Sequence, residues 1–287
     1  ILPNGPEFFR FGGVLHSFQQ HRSSVIWNNT WYWTNGLETK KTYLDGMEKD
    51  LGLPTPVGEL NIKEGYAGRP MTGFFVYTYT FYDRETGAES APAPVSKTLA
   101  ITEQSIIVNE FDALPEGATN YRLYRVGGFL PSFTMVVELT ETGVPYQDKL
   151  DVTEIDGRRL TTLRTGPPPN NLNYLVELNG RFYGAVGNLI YWSDIGNPDS
   201  WYVSNFIEFS TTITALSVSQ SGLIVNTLYQ THVLRGKGIE NFTLKRLSDQ
   251  VGCSDYKSIA QVGEHAIWLS LIHISEPTRL LSISYAV

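Results

Sequence analysis

Catalysis requires a nucleophile, an acid–base pair or a cluster of metal ligands, and few residues of this chain could serve. The five histidines are His16, His21, His232, His265 and His273. No pair of them shares zinc-like spacing with a cysteine or carboxylate, and His16 and His21 read as solvated or packing residues. Cys253 is the single cysteine. With no Cys-x-x-Cys companion it cannot close an internal disulfide, and it reads as a small buried hydrophobe. No Gly-x-Ser-x-Gly elbow occurs. Arg125-Val-Gly-Gly128 and Arg235-Gly-Lys-Gly238 are glycine-rich, but no helix pattern follows either, so both are turns rather than phosphate loops. Asp194, Asp199 and Glu208 are the carboxylates that could pair for glycoside hydrolysis, a pairing made only in space; their turn-like or alternating contexts favour solvation. Asp249 to Asp255 only faintly imitates a calcium loop. The expectation is a non-enzyme with no catalytic residue, metal or cofactor.

The segment Tyr191-Trp-Ser-Asp-Ile-Gly-Asn-Pro-Asp-Ser-Trp201 carries the most local chemistry. Its Ser193, Asp194, Gly196 and Trp201 resemble the Asp-box of sialidase-type propellers, although here the Asp follows the Ser directly and the Trp comes late. That resemblance implies a structural turn motif. The carboxylate is expected to accept backbone N–H bonds in the turn while the indole packs beneath it.

Residues that hold such a turn need strands around them, and the composition supplies strand formers. Aromatics make up 13% of the 287 residues, with 26 Gly and 15 Pro and no long amphipathic run. An all-β chain of short strands and tight turns follows. No apolar run approaches a membrane span. The net charge of −7 argues against backbone-tracking contact with nucleic acid, while a mildly acidic wall could let DNA slide past.

Four regions are expected. Residues 1–70 hold a hairpin around Asn28-Asn29, with Trp27, Trp31 and Trp33 needing a larger face to bury them, and then a polar linker from Asp45 to Gly68. Residues 71–165 contain the strand Gly73–Tyr82, the turn Asp83–Gly87, and Ser90-Ala-Pro-Ala-Pro-Val-Ser96 as a proline-bearing edge strand. Strands at Ser105–Val108, Asn120–Val126, Thr134–Leu139 and Pro145–Asp148 complete a β-sandwich pattern. The hinge Thr165-Gly-Pro-Pro-Pro-Asn170 opens residues 166–268. There, turns at Asn179-Gly180, Ser221-Gly222 and Gly263-Glu264 each separate two strand patterns. The glycines Gly180, Gly222 and Gly263 recur roughly every 41–42 residues, the period of four-stranded propeller blades. The expected architecture is an incomplete β-propeller of about three to four blade-like units with an inserted sandwich.

From Leu269 the chain reads Leu-Ser-Leu-Ile-His-Ile-Ser-Glu-Pro-Thr-Arg. This run resembles the translation of a transposase-type sequencing adapter, so residues 269–287 are expected to lie outside the fold. The alternative is a genuine strand, Leu269 to Ile274, followed by a Ser-Glu-Pro turn. Since residue 1 is Ile rather than Met, both ends are expected to be cut.

Two sets of residues carry a family resemblance. Tyr77-Thr-Tyr-Thr-Phe-Tyr-Asp83, Glu89-Ser-Ala-Pro92, Tyr121-Arg-Leu-Tyr-Arg125 and Tyr146-Gln-Asp148 resemble the fibronectin type III-like or immunoglobulin-like modules of phage tail proteins. Gly180-Arg-Phe-Tyr183, Tyr191-Trp-Ser-Asp194, Gly196–Trp201, Phe206-Ile-Glu-Phe209, Val233-Leu-Arg-Gly236, Gly252–Ser258 and Ile267-Trp-Leu-Ser270 resemble tail nozzle or tail-tube-like proteins of short-tailed phages. The resemblance implies a virion structural protein: a ring of identical copies extending the DNA exit channel, with an adaptor ring and fibre proteins as partners. The alternatives are a secreted or surface glycan-binding module and, behind it, a propeller glycosidase.

Overall fold

Strand follows strand without an α-helix among the residues that the computed structural model describes, namely 7–11, 14–18, 23–140, 145–236, 238–263, 265–270 and 283–285. The protein is all-β. His21, His273 and residues 271–282 of the adapter-like tail lie outside the described residues. Two compact units divide the chain: Ile1–Leu51 together with Pro168–Val287, and Gly52–Pro167.

The first unit opens with the hairpin of β1 (Glu7–Phe11) and β2 (Val14–Phe18). A meander follows, built from β3 (Ser23–Trp27), β4 (Thr30–Thr34), β5 (Thr39–Thr42) and β6 (Glu48–Asp50). Asn28 and Asn29 both take positive φ, 49° and 58°, the backbone that a two-residue hairpin turn demands and that asparagine tolerates. The polar stretch from Asp45 was expected to be a linker. It instead supplies β6, because backbone pairing of Lys40–Thr42 with Glu48–Asp50 needs no apolar side chain.

The second unit is a five-stranded sheet in the order β10-β9-β7-β8-β11. Its strands are β7 (Asn61–Tyr82), β8 (Leu99–Asn109), β9 (Asn120–Gly127), β10 (Leu130–Leu139) and β11 (Tyr146–Asp148). β7 starts well before the expected Met71. Its polar N-terminal half runs alongside β8, and the ladder survives a glycine and a proline by bulging: Ala67 and Met71 both face Gln104, which leaves Gly68-Arg69-Pro70 outside the pairing. Along the C-terminal half, Phe75, Tyr77, Tyr79 and Phe81 alternate inward to a core shared with Ile106, Val108, Tyr121 and Leu123.

Ser90–Ser96 does not form the expected edge strand. It lies along β7 in a three-residue rhythm: the N–H groups of Ser90, Ala93 and Ser96 donate to the carbonyls of Phe81, Tyr79 and Tyr77 at 2.9, 2.8 and 2.8 Å. Pro92 and Pro94 have no N–H to give, which rules out a two-residue ladder. The serine hydroxyls compensate. Ser90 Oγ accepts from the Phe81 N–H and Ser96 Oγ from the Tyr77 N–H, both at 2.9 Å.

Arg125 on β9 and Asp148 on β11 belong to strands separated by two others, yet Nη1 donates to Oδ2 at 2.6 Å. The sheet must therefore curl around its core. Both side chains are almost fully buried, at 3% and 0% exposure. The Tyr77 hydroxyl donates to the same carboxylate oxygen at 2.7 Å, and the Leu150 N–H donates to the other at 3.0 Å. Burial first, and the Asp148 charge second, hold the Tyr77 phenol protonated well above its usual range. Asp148→Ala strands a buried guanidinium and is expected to destabilise this unit by about 3–5 kcal/mol, whereas Tyr77→Phe costs about 1 kcal/mol. All six tryptophans lie in the other unit, so the urea transition that far-UV circular dichroism shows and tryptophan fluorescence does not belongs to this unit, and its midpoint reads the difference.

After residue 168 the first unit resumes with a second meander, β12 (Asn173–Leu178), β13 (Arg181–Val186), β14 (Leu189–Asp194) and β15 (Asn197–Glu208). A third follows: β16 (Ile213–Ser219), β17 (Gly222–Thr227), β18 (Thr231–Arg235) and β19 (Thr243–Ser248). The last sheet has three strands, β20 (Ala260–Val262), β21 (His265–Leu269) and β22 (Ile283–Tyr285), so the backbone of residues 283–285 within the adapter-like tail pairs with Ile267–Leu269. Successive sheets share apolar cores. Tyr183, Ile190 and Trp192 meet Leu216, Leu223 and Val225 between the second and third sheets. Ala215, Ile224 and Val233 meet Ala266 and Trp268 between the third and fourth.

Candidate functional site

The turn motif lies where three strands of the second meander converge. Asn179 and Gly180 take φ of 57° and 76° and reverse the chain from β12 to β13. The Gly180 carbonyl accepts the N–H of Gly196 at 2.7 Å, which sets the β14–β15 turn beside the first. The four motif residues come together, but the division of labour differs from expectation. Ser193, rather than the aspartate, receives the backbone: its Oγ accepts the Phe182 N–H at 3.0 Å. Asp194 is exposed and accepts the Ser200 hydroxyl at 2.6 Å. With the Asp directly after the Ser, strand alternation sends the two side chains to opposite faces. Trp201 does pack beneath, at 1% exposure, and its indole N–H donates to the Pro198 carbonyl at 2.7 Å.

Beneath Trp201 runs the seam between the first and second meanders. Tyr32 and Leu51 from the first meet Leu172, Leu175, Phe182 and Trp201 from the second. The Tyr32 and Phe182 rings stand 4.7 Å apart, and Trp27 meets Phe182 edge-on at 5.9 Å. Polar groups fix the register of this contact. Thr34 Oγ1 donates to the Leu172 carbonyl at 2.6 Å, and Ser23 Oγ accepts the Leu175 N–H. Lys41 Nζ reaches both oxygens of Asp199, at 2.8 and 2.7 Å, with side-chain exposures of 3% and 13%. Burial first, and Asp199 second, push the Tyr32 phenol up to about 12.

Sequence reasoning passes over Lys41 and assigns no role to Arg181, whose Nη1 donates to the Ser193 carbonyl. A signal for Lys41 existed in the hairpin register. Tyr32 pairs with Lys41 and Trp33 with Lys40, so Lys41 shares the face of Tyr32. Tyr174 carried no such signal. It sits in a bulge of β12 at φ 60°, a costly backbone for a bulky residue, and its ring meets Tyr256 at 5.5 Å.

The remaining candidates hold no chemistry together. Asp199 is tied to Lys41, and Glu208 accepts the Asn188 side-chain amide at 3.2 Å. Asp249 pairs with Arg246, and Asp255 accepts the Lys257 N–H. Cys253 is buried, its Sγ donates to the Asp255 carbonyl at 3.1 Å, and burial pushes its thiol up, away from the reactive thiolate. Gly222 opens β17 at φ 131°, where an added Cβ would meet the Leu234 carbonyl; Gly263 turns β20 into β21 at φ 59°. Among the described residues no group of three or more His, Cys, Asp or Glu could hold a metal ion, and no helix is long and apolar enough to cross a membrane.

No family model matches the chain, and no curated protein does. Among solved structures, the AfRom2 CNH domain is similar at 10% identity, covering 88% of this chain and 91% of that one with a TM-score of 0.25. The computationally designed Ika8 protein is similar at 10% identity, covering 90% of this chain and 72% of that one with a TM-score of 0.24. Neither likeness is close enough to carry an inference about fold or function.

Two measurements check the seam and its surroundings. Trp201→Ala removes a buried indole and is expected to cost about 3–5 kcal/mol, read as a lower urea midpoint by tryptophan fluorescence. His232 lies edge-on to Phe209 at 5.2 Å, and its buried Nδ1 has no hydrogen-bond partner among the described residues. Burial first, then Arg246, lowers its pKa below 6.5, against a weaker opposing pull from Asp249. The unfolded chain therefore takes up this proton first as pH falls, and stability declines below about pH 6.5 until the folded pKa is passed. His232→Phe is expected to flatten the fall in urea midpoint between about pH 7 and about pH 5; an unchanged slope contradicts the neutral, half-buried imidazole.

Proposed function

We propose that the chain is a structural subunit of a short-tailed phage virion, a nozzle- or tail-tube-like ring component of the DNA exit channel. The observation that carries this function is the succession of antiparallel meanders, stacked in chain order through shared apolar seams and interrupted once by a separate compact unit. The meanders fit the blades of an incomplete β-propeller, and the curled sheet of Gly52–Pro167 fits an inserted fibronectin- or immunoglobulin-like module. Such a protein works by shape. Its polar side chains serve as turn braces and seam ties, the use made here of Ser193, Lys41, Asp199, Arg125 and Asp148. The expected partners are further copies of the chain, an adaptor ring and fibre proteins, and the net charge of −7 suits a wall that phosphate does not adhere to.

Negative-stain electron microscopy of the purified full chain tests the proposal. Closed rings with a central lumen are expected. Monomeric particles at every protein concentration, together with retention on a glycan array, contradict it in favour of a sugar-binding module, for which the Tyr174–Tyr256 pair would be the first platform to mutate.

A further inference from the structure

Two edges of the first unit carry opposite charge beside exposed apolar side chains. β19 is the outer strand of its sheet and reads Thr243-Leu-Lys-Arg-Leu-Ser248. Five of its six residues are exposed, with Leu244 at 44% and Leu247 at 43%, flanking Lys245 and Arg246; Arg246 pairs with the exposed Asp249 at 2.6 Å, which leaves the edge with a net positive charge. β6 is the outer strand of the first meander, and the turn that feeds it reads Tyr43-Leu-Asp-Gly-Met47. Leu44 and Met47 are 52% and 39% exposed there, beside the carboxylates of Asp45, Glu48 and Asp50; Lys49 stands between the last two and Glu48 also accepts the Thr42 hydroxyl, so the edge is acidic by net charge.

Charge on an outer strand commonly serves only to keep sheets from joining. That role requires neither opposite signs on two edges nor leucines and a methionine left in solvent beside them. Exposed apolar side chains on a strand edge promote association unless a partner covers them. Here each apolar pair is flanked by a net charge that repels its own kind and attracts the other edge.

We infer that copies of this chain join edge to edge, with β19 of one copy laid against the Leu44–Asp50 edge of the next. The inference rests on the ring assembly proposed above and names the surfaces that build it. The occupant of each edge is a second copy: backbone N–H and C=O groups of two outer strands extend the sheet across the contact, apolar side chains meet, and the charges set which edges pair. Since the two edges differ, the contact is heterologous. It leaves one edge of each kind open at every step, as ring growth requires.

Charge exchange tests this in the full chain. Lys245→Glu/Arg246→Glu makes both edges acidic, and Glu48→Lys/Asp50→Lys makes both basic. Sedimentation velocity in about 0.05 M and about 0.5 M salt should show the wild type assembling more strongly at low salt. Each double variant alone should associate at least about tenfold more weakly. An equimolar mixture of the two, whose unlike edges match again, should recover assembly. Recovery also shows that both variants are folded. If the wild type assembles but neither variant weakens it, or the mixture recovers nothing, the edge pairing is wrong while the ring stands. If the wild type is monomeric throughout, both fail.

Discussion

One seam joins the two stretches of the first unit into a single body, because the chain leaves this unit after Leu51 and returns only at Pro168. Lys41 and Asp199 are 158 residues apart in sequence, and closing a flexible loop of that order costs roughly 4–5 kcal/mol. The seam outweighs this. Burying Phe182, Trp201, Tyr32 and three leucines contributes about 1.5–3 kcal/mol each. The ion pair adds little net energy of its own, since desolvation offsets its attraction. Its contribution is register: with Thr34 on Leu172 and Ser23 on Leu175, it allows one alignment of the two meanders and opposes a slip. Apolar area supplies the strength and polar groups the geometry.

The same division holds in the Gly52–Pro167 unit. Alternating aromatics along β7 build the core, while Arg125, Asp148 and Tyr77 fix how far the sheet curls. Its edge beside Ser90–Ser96 is closed by serine hydroxyls where prolines remove donors. In both units a buried ion pair, Lys41 with Asp199 and Arg125 with Asp148, ties together strands that are not neighbours in one sheet. A molecule arranged this way resists deformation, which is the property a tail component would use.

Hairpins were the most legible part of the sequence. Asn28-Asn29 and Asn179-Gly180 announce positive φ, and the β-branched and aromatic runs beside them could hardly be anything but strands. Exposed strands were hidden. β6 and the first half of β7 are polar because both faces meet solvent, so they lack the alternation that reveals a half-buried strand. The three-residue rhythm of Ser90–Ser96 belongs to no period that sequence reading looks for. The four turn-motif residues were found, but their roles were not, since only the fold decides whether Ser193 or Asp194 faces the Phe182 N–H. Lys41 illustrates the limit best: two adjacent lysines look alike until the hairpin register assigns one to each face.

The segments on either side of Gly52–Pro167 form one cooperative body. Hydrogen exchange of the full chain, read by mass spectrometry, tests it most directly. Amides of β4 and β5 are expected to exchange with the same protection as those of β13 and β14, and Trp201→Ala is expected to lower the protection of all four together. Exchange of β4 and β5 orders of magnitude faster than β13 and β14, or a Trp201→Ala effect confined to the second meander, would contradict it.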